Sequence, residues 1–396
     1  MSSQIEVMGI VDYRSPRIGL SDIAKSGFEN LSLDLRGLYA KSNSPEKDEP
    51  RKFSESEIYD TYLYALIDEI KSYHIDIKTV RIPSISFDAD EIVNESVGKW
   101  INTAYRLSEI ADIKNIIAPA ISYSSASDAI EKNIGFYRKI AEIAKRKNIK
   151  LLFENSVRCF NGHYIRSNFS GAGKLVDLVS ETNRAVGSEV FGICMNLKKC
   201  TLCGIDPYEF AVSAGDKINT VIISDCNGTN NMSMMPFTAV NGGYLTEWNR
   251  VLSGFRTTRF SGDVIFDISD AIAFAQPLMR TAMLEYTKSA ASFLTSQLLI
   301  VDRLKKYKNI VLFGAGNILP RYMTALGGEF PPLFICDNNK SLWGTKRFNT
   351  EIRSPETLKD LPEDCVIVIS NVIYCREIER QIIDMGVKAP IEFFAE

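Results

Sequence analysis

The residues best suited to chemistry stand at the carboxyl ends of short apolar runs. Asp12 and Arg14 follow the first run, and Asp34 and Arg36 close the second. Arg81 lies in the third. Glu154 and Asn155 end the fifth. Asn196, Lys198 and Lys199 follow the sixth, Asp225 ends the seventh and Asp267 the eighth. Two carboxylates facing each other across a substrate can pass a proton from one face of a carbon to the other, or between adjacent carbons. A divalent cation beside them would polarise the neighbouring carbonyl and stabilise an ene-diolate. Taken singly, Asp12, Asp34 and Asp225 read as helix caps or loop acceptors. Glu154 and Asp267 both terminate strongly apolar strands, and they are the expected proton-transfer pair.

Eight β-rich runs must position these groups: 5–11, 31–35, 78–83, 115–121, 149–154, 190–195, 219–224 and 263–267. Between them lie segments with apolar residues three and four apart. Val93, Val97, Trp100, Ala104, Leu107 and Ala111 share one predicted helical face, and Ile130, Ile134, Tyr137, Ile140 and Ala144 share another. The runs are apolar throughout rather than alternating, as strands covered on both faces should be. Eight βα units in about 270 residues fit an α/β fold of the (β/α)8, or TIM-barrel, type, whose chemistry sits at the carboxyl ends of the strands. A doubly wound open sheet competes, but no glycine-rich phosphate turn appears early. Three of the loops on that side are long: 41–57, 155–174 and 226–248. The first, charged and anchored only by Phe53, reads as a lid or a disordered insertion.

Composition bounds the function. The chain has 396 residues, enough for two or three domains, and a formal net charge of −3. That balance argues against a dedicated nucleic-acid binder. No apolar run approaches the ~20 residues of a membrane span, and the first residues lack the pattern of a signal peptide. Eight cysteines are too few for a disulfide scaffold in a chain this long and read as reduced cytoplasmic thiols. Only two histidines are present, His74 and His163, so no site can hold three imidazoles.

Four stretches give residues 5–275 a resemblance to the sugar-phosphate isomerase/epimerase family, the xylose-isomerase-like TIM barrels. They are IKLLFEN (149–155), VFGICMNLKKCTLCGIDPYEF (190–210), INTVIISDCNG (218–228) and VNGGYLTEWNRVLSGFRTTRFSGDVIFD (240–267). The resemblance implies a divalent ion held by acids and a histidine from strands five to eight. Glu154 matches the first ligand. Asn196 stands where an Asp is usual, Lys199 near a usual His, Ile222 at the ligand His, and Asp267 at the final Glu. The strand-four position, often His, is Ala118. The imidazoles are gone, which excludes sites that rely on them. Glu154, Asn196 and Asp267 would hold Mg²⁺ or Mn²⁺ only weakly. Lys199 would repel a cation and could replace its charge. The site is therefore expected to draw its positive charge from Lys198 or Lys199, with Arg81 or Arg166, and to bind an anionic sugar or sugar acid. An endonuclease-IV-like repair enzyme shares the barrel but needs several histidines and a basic face.

Cys194, Cys200 and Cys203 invite a metal reading, with Cys159 and Cys226 nearby in the strand-end loops. No second well-spaced pair supports it, and they read as small packing residues. His163, in the loop after strand five beside Arg166 and Asn168, is a candidate substrate contact. His74 reads as structural.

From 309 a second pattern begins, after a predicted linking helix over 297–308. Residues 309–313, 333–336 and 366–369 read as strands. Gly314-Ala315-Gly316-Asn317 follows the first, and Asp337 ends the second, where an acid reads a ribose hydroxyl. Leu319 stands where the third glycine of the fingerprint belongs. The run ICDNNKSLWGTKRFNTEIRSPETL resembles the Rossmann-like nucleotide- or nucleotide-sugar-binding modules appended to sugar-modifying enzymes. It implies Gly314, Gly316 and Asp337 as cofactor contacts.

The sequence thus yields two expectations. One is a cytoplasmic sugar or sugar-phosphate isomerase or epimerase, with Glu154, Asp267 and Lys199 catalytic and Arg81, His163, Arg166, Lys198 and Asp225 binding substrate. The other is a non-catalytic or regulatory protein whose decayed barrel binds a sugar derivative. Neither involves nucleic acid or membrane, and both permit a homo-oligomer.

Overall fold

The structure, a computed structural model, describes residues 4–9, 11, 17–36, 64–83, 91–123, 128–240, 243 and 245–395. Asp12, Arg14 and the 41–57 loop lie outside them. The chain divides into two compact units, residues 1–254 with 260–291 and residues 255–259 with 292–396.

In the first unit, β1 (Ile5–Met8), β2 (Asn30–Asp34), β3 (Asp76–Arg81), β4 (Asn115–Pro119), β5 (Lys150–Glu154), β8 (Phe191–Asn196), β9 (Ile218–Ile223) and β10 (Asp263–Asp267) form a closed barrel. Every pairing in it is parallel, and β1 closes the ring against both β2 and β10. Between β5 and β8 the expected loop instead contains an antiparallel hairpin, β6 (Val157–Phe160) and β7 (His163–Arg166).

Alternation along the strands sorts the barrel interior into layers. Met8, Ile117, Leu152, Cys194, Ile222 and Ile265 meet as one buried apolar cluster. Two residues further along the same strands, or their neighbours, come Asp34, Arg81, Glu154, Asn196 and Asp267. Two residues earlier come Glu6, Asn115, Thr220 and Asp263. An apolar plug therefore separates two polar layers, and nearly every interior side chain is buried.

The helix Ala129–Lys147 buries Ala129, Asn133, Tyr137, Ala141 and Ala144, a face rotated from the expected one; Ile130, Ile134 and Ile140 lie on its flank. The reason is Asn133. Its amide accepts from the Ile121 N–H at 3.0 Å and donates to the Ile121 and Ala129 carbonyls at 2.8 and 2.7 Å, which holds the segment leaving β4. Tyr137 adds a bond from its hydroxyl to the Pro119 carbonyl at 2.6 Å. The helix Glu91–Leu107 buries Val97, Ile101, Ala104 and Leu107 and stops before Ala111.

The second unit has a six-stranded sheet of β11 (Asn309–Phe313), β12 (Pro332–Cys336), β13 (Lys346–Arg347), β14 (Thr350–Arg353), β15 (Cys365–Ile369) and β16 (Ile391–Phe393). Its order is β13-β14-β12-β11-β15-β16, parallel except for the β13 edge. Apolar clusters cover both faces. One gathers Ile300, Leu304, Leu319 and Tyr322, and the other Leu358, Ile378 and Ile382. Three strands beyond the expected ones appear. Among them, β13 and β14 form a two-residue hairpin with Phe348 and Asn349 both at positive φ, as a type I′ turn requires.

Replacing Asn133 with Ala strands two buried backbone groups of residue 121. It should cost about 2–3 kcal/mol, read as a shift of the urea unfolding midpoint of the full chain.

Candidate functional site

The upper polar layer is a buried ion-pair cluster centred on Arg81. The guanidinium donates to Glu154 through two nitrogens, Nη2 to Oε1 at 2.7 Å and Nε to Oε2 at 3.2 Å. Its Nη1 reaches Asp34 Oδ2 at 3.2 Å and lies 3.8 Å from Asp267 Oδ2. Arg81 is 1% exposed, Glu154 2% and Asp267 0%. A planar fork with five donors suits this bridging role, which a lysine could not fill.

Local sequence places each partner. Helix Leu197–Leu202 starts directly after β8, with no loop between. Consecutive helical residues point about 100° apart, so the two lysines diverge. Lys199 Nζ lies 3.1 Å from Glu154 Oε2. Lys198 Nζ donates to Ser233 Oγ at 2.8 Å and to the Asn231 carbonyl at 3.3 Å, and lies 4.0 Å from Asp270. Asn155 ties the ends of β5 and β8 by accepting from the Asn196 N–H at 2.6 Å and donating to its carbonyl at 3.2 Å. That clamp sets Asn196 Nδ2 against Glu154 Oε1 at 2.7 Å. Asp267 folds an Asx turn: its Oδ1 accepts from Ser269 N–H and Oγ, at 3.1 and 2.6 Å. Its Oδ2 accepts from Ser233 Oγ at 2.7 Å. Arg36 pairs with Asp34 at 2.7 Å.

Every oxygen of Glu154 and Asp267 is thus engaged by at least two positive or polar partners. Burial alone would raise the Glu154 carboxyl, but Arg81, Lys199 and the Asn196 amide outweigh it and hold it at about 2. Burial likewise opposes ionisation of Asp267, and Lys198, Arg81 and Arg36 hold it well below the usual range. Burial pushes Lys199 down to about 8, with Glu154 partly opposing the shift. Lys198 is also lowered, first by burial. Among the described residues, Arg36, Arg81, Lys198 and Lys199 face Asp34, Glu154, Asp267 and Asp270, so charge balances inside the protein.

This arrangement does not fit the divalent ion expected at Glu154, Asn196 and Asp267. The space between the two carboxylates is spanned by the Arg81 guanidinium, and a second cation there would meet Arg81 and Lys199 directly. Asn196 turns its NH₂ toward Glu154, while its Oδ1 is buried without a donor. Ile222 sits in the apolar plug.

Other expected contacts fall elsewhere. Asp225 organises its own loop: it accepts from the Thr238 and Ala239 N–H groups at 3.1 and 3.0 Å and from the Thr246 hydroxyl. Arg166 donates to the Cys203 and Gly204 carbonyls at 2.9 and 2.7 Å and pins the β6–β7 hairpin. His163 is exposed on that hairpin, and Asn168 donates to the Tyr123 carbonyl at 3.3 Å. Cys200 accepts from Asn155 at 3.5 Å, Cys226 packs with Val157 and Leu202, and burial raises both thiols. Among the described residues, no three His, Cys, Asp or Glu side chains gather as a metal set. Ser233, Ser269 and Asp270 support the site but carry no sequence signal. Ser269 acts on Asp267 two residues before it, whereas the roles of Ser233 and Asp270 depend on where the loop after β9 returns.

In the second unit Gly314, Gly316 and Asp337 do come together. Asp337 Oδ2 accepts from the Ala315 N–H at 2.7 Å and Oδ1 from the Asn339 N–H at 2.8 Å. Gly314 has φ +119°, and a Cβ there would lie 2.8 Å from the Ser370 carbonyl oxygen, so only glycine fits.

Residues 306–390 match the family described as C2185-like, N-terminal. No curated protein matches the chain. Solved structures do. An IOLI protein with a bound zinc atom is 12% identical, covers 73% of this chain and 97% of its own, and has a TM-score of 0.54. An L-ribulose 3-epimerase is 12% identical over 77% of this chain and 99% of its own, also at 0.54. A xylose isomerase domain protein from Alicyclobacillus acidocaldarius subsp. acidocaldarius is 12% identical over 75% and 99%, at 0.51. At such identities the likeness is one of fold: the closed eight-stranded parallel barrel. Among the described residues, no helix is long and apolar enough to cross a membrane.

Arg81→Met leaves buried carboxylates uncompensated and should cost about 3–5 kcal/mol. Arg17→Met, which breaks the exposed 3.0 Å pair with Glu69, should cost under about 1 kcal/mol. Urea denaturation compares the two. Because the folded pKa of Glu154 is depressed, its contribution is present above the ordinary carboxylate range and is lost as pH falls toward about 2. Glu154→Gln should flatten that part of the acid-unfolding curve.

Proposed function

We propose that the barrel mouth binds a sugar derivative and does not isomerise it through a metal. One observation carries this reading: Glu154 and Asp267 are both saturated with donors, and Arg81 spans the space between them. A general base needs an oxygen free to meet a C–H proton and an affinity for that proton near the working pH. Glu154, held at about 2, lacks both. The xylose isomerase-like neighbours, which include an L-ribulose 3-epimerase, support a carbohydrate as the class of ligand. The internal charge balance removes the reason to expect a phosphate or sugar acid in particular.

A second reading has its own support. Lys199 is a buried amine at about 8, close enough to neutrality to exchange a proton. In that reading the barrel is a metal-independent isomerase in which Lys199 carries the proton and Glu154 orients it.

For the second unit we extend the proposal to a Rossmann-like module that takes a nucleotide or nucleotide-sugar. Its five parallel strands, numbered in chain order, run 3-2-1-4-5, the doubly wound order. Gly316 has open space where a Cβ would be, which suits close approach by a phosphate. Asp337 is engaged in holding the turn, so its role there is positioning rather than reading a ribose. A reduced, cytoplasmic setting suits the eight free thiols.

The test is incubation with neutral ketoses, including L-ribulose and D-fructose, in D₂O, followed by NMR. The expected result is saturation transfer from protein to sugar with no deuterium at carbon. Deuterium wash-in abolished by Lys199→Met would establish the second reading. Wash-in abolished by Glu154→Gln in a Mn²⁺-dependent manner would overturn both.

A further inference from the structure

At the carboxyl edge of the second sheet, hydrogen bonds tie four segments together: the glycine turn after β11, the loop after β12, the edge strand β13 and the loop after β15. The Ala315 N–H of the turn goes to Asp337 Oδ2 at 2.7 Å. The Gly314 carbonyl accepts from Ser370 Oγ, at the start of the loop after β15, at 2.9 Å. The Ala315 carbonyl accepts from Arg347 Nη1 of β13. β11 and β15 are neighbours, and the strands that follow them, β12 and β16, lie on opposite sides. That switch in direction opens the crevice where doubly wound sheets take a ligand.

Arg347 differs from other arginines of this unit. Arg353 and Arg376 pair with Glu351 and Glu379 at 2.7 and 2.9 Å, whereas Arg347, which is exposed, has no carboxylate partner among the described residues. Its bond to a neutral carbonyl holds the guanidinium against the turn without neutralising it. Nε and Nη2 donate to nothing among the described residues. Two parallel donors on a rigid fork match two oxygens of a phosphate. Asp337, the acid at the turn, spends its oxygens on the Ala315 and Asn339 N–H groups. Lys340, Lys346 and Arg347 outnumber it within residues 337–347, so that segment is net positive. Gly316, next to Ala315, is exposed and has open space where a Cβ would be, so an anion can approach the turn. Beyond Ser370, the loop after β15 exposes three successive apolar side chains, Val372, Ile373 and Tyr374, at 53%, 79% and 59%.

We infer that Arg347 is the phosphate contact of the second unit, its Nε and Nη2 meeting two phosphate oxygens while Nη1 stays on the Ala315 carbonyl. This contact rests on the nucleotide reading of the unit proposed above, and it adds a residue from the β13–β14 hairpin to the glycine turn. It also supplies the charge that Asp337, committed to the backbone, does not. A charged fork and an apolar loop bonded to one turn suit an organic phosphate better than a free one.

The test is calorimetric titration of the full chain with UDP, ADP, uridine, adenosine and inorganic pyrophosphate. UDP or ADP should bind more tightly than pyrophosphate, and each nucleoside more weakly than its diphosphate. Arg347→Gln should weaken nucleotide and pyrophosphate alike, by about 10- to 100-fold. Arg347→Lys keeps the charge without the fork and should recover only part of that loss. Thermal midpoints equal to that of the wild type show that both variants are folded. Nucleotide binding unchanged in Arg347→Gln overturns the inference and leaves the nucleotide reading standing. A wild type that binds pyrophosphate through Arg347 as tightly as either nucleotide keeps the phosphate contact and overturns the nucleotide reading. A wild type that binds none of the five overturns both.

Discussion

The buried guanidinium of Arg81 is the constraint on which the barrel mouth depends. Three strand-end carboxylates point at it from β2, β5 and β10. Without a cation between them they would repel one another in a low-dielectric space. The protein supplies that cation covalently, from β3, and adds Lys199 and Lys198 from the first turn after β8. Ser233, in the loop after β9, and Ser269, the first residue of the helix Ser269–Phe274, then occupy what remains of Asp267. Buried ion pairs of this kind are seldom retained for stability alone, since their desolvation offsets most of the Coulombic gain.

The interior layers explain how one barrel holds two separate polar regions. The six apolar side chains of the plug interrupt the inward faces of β1, β4, β5, β8, β9 and β10 at mid-height. Ionisable groups above and below are therefore kept apart, and they meet opposite fates. Glu154, surrounded by cations, is held at about 2, whereas burial pushes Glu6, which takes a hydrogen bond from Thr79, to about 8. Burial pushes both carboxyls up; around Glu154 the neighbouring cations outweigh it, and around Glu6 nothing does.

Much of this was legible in the sequence. Eight apolar runs with period-3.6 segments between them specify the barrel, because strands covered on both faces have no polar side to show. Glu154, Asn196, Lys199 and Asp267 were legible as strand-end residues, and they do converge. What was not legible is the role of Arg81, named as a substrate contact but found bridging the carboxylates. Strand alternation tells which way Arg81 points, but not that Glu154 and Asp34 lie within its reach. Ser233 and Asp270 were invisible because only tertiary structure brings their loop and helix over Lys198. Asn133 was missed because a polar residue reads as exposed unless its three backbone partners are known. In the second unit, β13 and β14 are short and charged at the sheet edge, so they carry no apolar signal.

Whether Arg81 or a metal fills the space between Glu154 and Asp267 can be seen by diffraction. Crystals of the wild-type chain grown with excess Mn²⁺ would be measured for anomalous scattering. The expected result is guanidinium density against Glu154 and no anomalous peak within ligating distance of Glu154 and Asp267. A peak between those carboxylates, with Arg81 turned away, would contradict it.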